Sequence, residues 1–173
     1  SPSAVEVQRR ISSWESYSGR TIIDFNFSHI GEGVAIEVKT SISGREHHIH
    51  GLSQVTLSED FKEGWLASLQ IREVDHISGI KCIDIVNRII NSFQGSIEEI
   101  EAQKNILFNR IELRGAACKD NRFGFILPNG GLRMIRMRDV PKPVLSTEIT
   151  EVEWKVNLKE SPFMDSIPKL ILN

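Results

Sequence analysis

Three side chains that together could support hydrolytic chemistry occur near the start of the chain, as Asp24, Glu37 and Lys39. In "VAIEVK", alternation along a strand places Ile36 and Val38 on one face and Glu37 and Lys39 on the other, about 7 Å apart. The preceding "RTIIDFNF" also alternates, and a glycine turn at "HIGEG" would bring Asp24 beside them. Two converging carboxylates suit Mg²⁺, and an adjacent ammonium can stabilise developing negative charge.

The same spacing has a simpler interpretation. Glu37 and Lys39 could form a same-face ion pair on an exposed strand, which is worth a few tenths of a kcal/mol. The motif is short and degenerate, so the spacing alone does not decide between a hydrolytic site and a surface ion pair.

The elements that must position these residues follow from hydrophobic periodicity. The patterns predict a short helix in "AVEVQRRISSW" and strands in "RTIIDFNF", "VAIEVKTS", "HHIHGL" and "GWLASLQIREV". They predict helices in "IKCIDIVNRIINSF" and in "GSIEEIEAQKNILF", which Ser96 would cap. A strand in "FNRIELRGAAC", a hairpin around residues 128–131 and a strand in "ITEVEWKVNL" follow. This order predicts one mixed α/β or α+β domain over residues 1–173, with a single central sheet.

Composition narrows the class of protein. The chain has 173 residues, 40% of them hydrophobic, and a net charge of −2, so any nucleic-acid contact must come from a local basic patch. Cys82 and Cys118 lack CxxC spacing and are predicted to be reduced thiols. No apolar run reaches the length of a membrane span and no signal peptide is visible, so a cytoplasmic protein without a membrane partner is expected.

Part of the sequence resembles a known protein family. Asp24 followed by Glu37-Val38-Lys39, and the continuation "IEVKTS…HHIHGLSQ", are similar to the PD-(D/E)XK nuclease superfamily. The similarity is closest to a bacterial group encoded beside restriction–modification or phage-defence genes. It runs from about Trp14 to about residue 93, with a weaker similarity through the C-terminal strands. It implies a restriction-endonuclease-like fold, with a mixed central sheet flanked by helices. It also implies hydrolysis of DNA phosphodiester bonds that depends on Mg²⁺, with Mn²⁺ as a substitute.

The resemblance also assigns roles to individual residues. It implies that Asp24 and Glu37 bind the metal, with the carbonyl oxygen of Val38 as a further ligand. It implies that Lys39 contacts the attacking water or the scissile phosphate, and that Gln54 supports the site.

Two departures from the family pattern keep a second function open. Ile23 stands where proline often precedes the aspartate, and no upstream "GELxxL"-type helix with its glutamate is found. The chain is therefore expected to be the C-terminal portion of a longer protein. The alternative to a nuclease is a catalytically incomplete DNA-binding or assembly subunit of a defence complex. A purely structural domain is the third interpretation.

Basic side chains provide candidate contacts to a DNA backbone. They lie in "REHHIH" and "GGLRMIRMRDV", as Arg45, His48, His50, Arg133, Arg136 and Arg138. Such residues commonly position a protein on phosphates. A transition-metal site at His48 and His50, or a solvated strand face, would also explain the first group. DNA is the expected partner, with a homodimer or defence-system subunits as further candidates.

Overall fold

The computed structural model describes residues 25–26, 33–42, 44–57, 59, 61–75, 77–93, 95–114, 123–145 and 152–165. The strands in chain order, β1 to β8, are Phe25–Asn26, Val34–Ser41, Glu46–Ile49, Glu63–Gln70, Arg72–Asp75, Phe123–Ile126, Leu132–Arg136 and Trp154–Asn157. The helices are α1, Cys82–Asn91, and α2, Ile97–Arg114, and short 3₁₀ turns span Leu52–Gln54 and Met137–Asp139. The predicted N-terminal helix lies outside the described residues.

The strands form a mixed four-stranded sheet and two smaller sheets. In the large sheet the order is β1-β2-β4-β7, with β2 parallel to β4 and the other two pairs antiparallel. Strand β3 pairs with β8, and β5 pairs with β6. A mixed α+β architecture is thus confirmed. The prediction of one central sheet is wrong, because the described strands belong to three sheets.

The chain divides into two compact units. One comprises residues 19–72 and 127–173, and the other comprises residues 1–18 and 73–126. The four-stranded sheet and the β3–β8 sheet belong to the first unit, and the two helices belong to the second. No helix within the described ranges is long and apolar enough to cross a membrane.

Strand β2 is buried on both faces along its first half, as expected of a strand in parallel pairing. One face of the sheet carries a cluster of buried apolar side chains, namely Val34, Ile36, Trp65, Ala67 and Met134. The opposite face presents Leu66 and Ile135 to a second cluster that includes Ile49 and Val156 of the β3–β8 sheet. This arrangement confirms that Ile36 lies on a core face. It also means that Glu37, on the other parity, faces the interior between two sheets.

The segment "GWLASLQIREV" does not form the single long strand that was predicted. Strand β4 ends at Gln70, whose N–H donates to the Gly131 carbonyl at 2.8 Å. The N–H of Ile71 donates to the Ser41 carbonyl at 2.9 Å, and β5 then pairs with β6. Alternation continues through the segment, so the sequence pattern does not reveal that its two halves join different sheets.

The helical pair was predicted correctly at its start. Val86, Phe93 and Leu107 form a buried cluster between α1 and α2. The Ser96 hydroxyl accepts the Glu99 N–H at 3.3 Å and the Glu99 carboxylate accepts the Ser96 N–H at 2.7 Å, which is a capping box.

The end of α2 and the following hairpin were predicted incorrectly. Helix α2 continues to Arg114, so "FNRIELR" is helical rather than a strand, because its Leu, Glu and Arg residues favour a helix. A turn exists at residues 128–131, where Gly131 N–H donates to the Pro128 carbonyl at 2.7 Å and Gly130 has φ +68°. However, β6 and β7 do not pair with each other, because each pairs with a strand of the 63–75 segment.

One prediction about the cysteines is also wrong. Cys82, the first residue of α1, is disulfide-bonded, so it is not a reduced thiol. Cys118 lies outside the described residues.

A close approach of two glycines in the helical unit gives a stability prediction. A Cβ at Gly124 would lie 2.7 Å from the Cα of Gly79 and 3.0 Å from the carbonyl oxygen of Asp75. Because both neighbours are backbone atoms, Gly124→Ala must separate the two segments, and we expect a loss of about 1–3 kcal/mol in the free energy of unfolding. Urea denaturation measures it. Asn105→Ala, on the exposed side of α2, is the control and should be neutral or slightly stabilising. Equal stability of the two variants would contradict the close approach.

Candidate active site around Glu37 and Lys39

Glu37 and Lys39 form an ion pair inside the protein. The Lys39 Nζ lies 2.9 Å from the Glu37 Oε1, and the two side chains are only 15% and 5% exposed, respectively. Both project from the same face of β2, as the alternation predicted. Removing a charged pair from water costs free energy that mutual attraction only partly returns. The interpretation as a solvent-exposed ion pair is therefore wrong, and the burial itself requires an explanation.

Gln54 holds the ammonium from a second direction. Lys39 Nζ donates to the Gln54 Oε1 at 3.0 Å, and the backbone N–H of His50 donates to the same oxygen at 2.9 Å. Gln54 ends the 3₁₀ turn Leu52–Gln54, which follows β3. The two hydrogen bonds fix the amide oxygen, so the lysine head is held between one carboxylate and one amide.

A second buried polar cluster adjoins this site and was not predicted. Ser68 on β4 is fully buried and is the register partner of Lys39 in the parallel β2–β4 pair. Its hydroxyl lies 2.8 Å from His47 Nε2. Arg45 Nη1 donates to the Ser68 hydroxyl and carbonyl, each at 3.0 Å, and Arg45 Nη2 donates to the Gly130 carbonyl. The cluster joins the start of β3, the middle of β4 and the turn before β7.

The charges around His47 keep its ring neutral. Burial, followed by the positive charges of Arg45 and Lys39, lowers the pKa of His47 to about 4. Burial, followed by the charge of Arg133, also lowers the pKa of Arg45 from its usual value. The interior thus holds two cationic side chains, Lys39 and Arg45, around a neutral imidazole. Alternation along "EHHI" was the available signal, since it places His47 and Ile49 inward, with both residues buried.

The predicted DNA-contact residues lie in different environments. Arg45 is buried, and its guanidinium contacts protein groups. His48 and His50 are exposed, with ring centroids 6.2 Å apart, and His50 Nδ1 lies 3.1 Å from the Glu153 Oε1. No group of three or more potential metal-binding side chains occurs within the described segments, so a transition-metal site at these histidines finds no support there.

The three arginines of "GGLRMIRMRDV" do not form one strand face. Arg133 donates to the Lys159 carbonyl at 2.9 Å, and its guanidinium lies 3.9 Å from the centre of the Phe163 ring. Arg136 ends β7, whereas Arg138 lies in a 3₁₀ turn. Their contact with DNA stays a prediction.

The donor chemistry around Glu37 fits a hard cation. The Glu37 carboxylate and the Val38 carbonyl are oxygen donors on adjacent residues of β2, and Mg²⁺ prefers oxygen ligands. Both residues already have contacts within the protein. Asp24, the second predicted carboxylate, lies outside the described residues.

Comparison with known proteins places the chain in a family. Residues 3–159 match the family described as "Putative PD-(D/E)XK family member". Because the match covers most of the chain, the protein belongs to this family, and the expected resemblance is confirmed. Membership suggests a nuclease-like role, and PD-(D/E)XK nucleases typically use divalent metals. No curated protein and no solved structure matches the chain significantly.

The neutral, buried His47 predicts a specific dependence of stability on pH. Its pKa is about 4 in the folded protein, against an ordinary value of 6.5, so between these values the unfolded chain binds more protons. Above pH 6.5 His47 is neutral in both states and does not lower the free energy of unfolding. As the pH falls from 6.5 towards 4, the free energy of unfolding decreases by up to about 3 kcal/mol, because only the unfolded chain gains this proton. Urea denaturation between pH 7.5 and 4.5 measures it.

Two variants separate this contribution from that of other titrating groups. His47→Gln should flatten the loss of stability below pH 6.5, whereas His48→Gln, at an exposed position, should keep it. The same pH profile in His47→Gln and the unchanged protein would contradict a buried neutral imidazole.

Proposed function

We propose that the protein is a Mg²⁺-dependent DNA endonuclease of restriction-endonuclease-like fold that acts in a prokaryotic restriction or phage-defence system. The observation that carries the proposal is the buried ion pair of Glu37 and Lys39, on the strand that bears the family motif, together with the contact of Lys39 with Gln54. A charged pair in this position is poor evidence for a stabilising role, since well-packed apolar residues are often at least as stable there. A role in binding an anionic substrate and a cation explains its presence better.

The pairing of β1 with β2 supports a role for Asp24. Phe25 is the register partner of Ile36, and Asn26 is that of Ala35, in an antiparallel ladder. Asp24 directly precedes Phe25, the first residue of β1, in the sequence. The proposed cation site therefore combines Asp24, Glu37 and the Val38 carbonyl.

Within this site the described side chains have separate tasks. A bound Mg²⁺ would supply Lewis-acid activation of the phosphate and a more acidic water. Glu37 provides a carboxylate oxygen to that cation and fixes Lys39 through their ion pair. Lys39 has three N–H donors, of which the contacts with Glu37 and Gln54 use two; among the residues that the structure describes, the third is left for a phosphate oxygen or the attacking water. Gln54 is a positioning residue, because it acts through the ammonium.

A second function is favoured by one observation. Glu37 does not belong to any group of three potential metal ligands in the part of the chain that the structure describes. If Asp24 does not complete the site, the protein would be a DNA-binding or assembly subunit of a defence complex. The two functions differ in whether DNA is cut, and both are compatible with family membership.

Cleavage of plasmid DNA with Mg²⁺ tests the proposal. Glu37→Gln and Lys39→Met should each lower the rate about 100-fold or more, since the first weakens binding of the cation and the second removes a positive charge next to the reacting phosphate. Lys142→Met, at an exposed position outside this cluster, is the control and should cut normally. Circular dichroism of each variant shows whether the fold is intact.

The results separate the two functions. Cleavage that persists in both site variants would exclude this cluster as the active site. DNA binding without nicking by the unchanged protein, in Mg²⁺ or Mn²⁺, would favour the non-enzymatic subunit. Absence of both binding and cleavage would contradict both.

A further inference from the structure

A cavity of about 280 Å³ opens beside the start of β4 and the end of β7. It is lined by Trp65 and Arg136, which are register partners in the antiparallel β4–β7 pair, and by Lys62 and Arg138. Trp65 belongs to the apolar cluster on one face of the sheet, whereas Glu37 has the opposite parity on β2. Neither Glu37 nor Lys39 lines the cavity, so it is separate from the proposed active site.

The described lining of this cavity is cationic. Lys62, Arg136 and Arg138 contribute three positive charges, and Glu63 contributes one negative charge. The Glu63 Oε2 accepts a hydrogen bond from the Trp65 indole at 3.0 Å, so this carboxylate is engaged by the protein. The excess of positive charge favours an anion.

Arg136 is arranged as an anion-binding group. Its guanidinium carbon lies 5.2 Å from the centre of the Trp65 ring. A guanidinium that rests on an aromatic face keeps its in-plane N–H donors for other partners. Within the described segments no carboxylate lies within ion-pair distance of Arg136. Arg138 is 73% exposed and has only a long contact, 3.9 Å, with Asp139.

The inner wall of the cavity is apolar and tightly packed. A Cβ at Gly64 would lie 2.5 Å from Met137 Sδ and 2.8 Å from Leu57 Cδ1, so these side chains close over the glycine. A cationic rim above an apolar wall focuses the electric field, because the wall has a low dielectric constant. The cationic rim and the apolar wall thus act together on a ligand that enters the cavity.

We propose that this cavity binds a phosphate group carried by a nucleotide or an oligonucleotide. Phosphate matches the two arginines, since guanidinium groups donate paired hydrogen bonds to its oxygens. The cavity volume of about 280 Å³ leaves room for more than a bare oxyanion. The site goes beyond the proposed cleavage reaction and needs no metal.

Binding to the full chain in EDTA tests the proposal independently of cleavage. The probes are inorganic phosphate, a nucleoside monophosphate, and a short single-stranded oligonucleotide with and without a 5′-phosphate, measured by calorimetry at low salt. Arg136→Gln should weaken binding of the phosphorylated ligands about tenfold or more. It should also reduce the slope of log affinity against log salt by about 0.7 for a single-stranded ligand.

Matched variants make the outcome specific. Arg138→Gln, which removes an exposed side chain, should weaken binding without affecting the fold. Lys155→Gln removes a positive charge at an exposed position outside the cavity and should not weaken it. Glu37→Gln should bind normally while failing to cut DNA, so failure of the cleavage proposal and of this one are distinguishable.

The ligand series identifies the source of the phosphate. Tighter binding with a 5′-phosphate supports recognition of a strand end, and equal binding of both oligonucleotides supports recognition of a backbone phosphodiester. No binding of any probe would overturn the proposal. Equal losses in Arg136→Gln and Lys155→Gln would also overturn it, because they would indicate unspecific attraction.

Discussion

The parallel pairing of β2 with β4 is the constraint on which the rest of the larger unit depends. Parallel neighbours cannot be joined by a tight turn, and they need a crossover of a dozen or more residues. Here the crossover comprises residues 42–62 and contains β3 and a 3₁₀ turn. Its described residues include no α-helix. The crossover supplies Arg45, His47 and Gln54, so the connection that permits the pairing also surrounds the motif strand. The same connection therefore determines both the topology of the sheet and the residues that surround the site.

The second constraint is the balance of charge in the space between the two sheets. Lys39 and Arg45 bring two positive charges there, and Glu37 brings a negative charge. A third positive charge on His47 would be opposed by burial and by both cations. The neutral imidazole and the Ser68 hydroxyl satisfy polar groups there without adding charge. Such an interior is costly to form, because charged groups must be removed from water.

Local pattern was sufficient for some features and insufficient for others. Strand β2 coincides with the predicted "VAIEVKTS", because β-branched residues and alternation agree there. Residues 108–114 alternate locally as well, but they extend a helix whose propensity and cap are stronger. The contact of Gln54 with Lys39 and the burial of His47 depend on where the crossover returns, which no local pattern encodes. Local pattern therefore predicted the motif strand, the family resemblance alone pointed to Gln54, and neither predicted the burial of His47.

The partners of the motif region come late in the chain. Strand β3 pairs with β8, more than a hundred positions further on, and Arg45 closes on the carbonyl of Gly130. Contacts of such wide sequence separation form slowly, because long loops must close first. During synthesis on the ribosome, a nascent chain that has only just passed Lys39 lacks Gln54, and one that has not reached Trp154–Asn157 lacks the strand that pairs with β3. The charged centre would therefore be complete only after β8 has been synthesised.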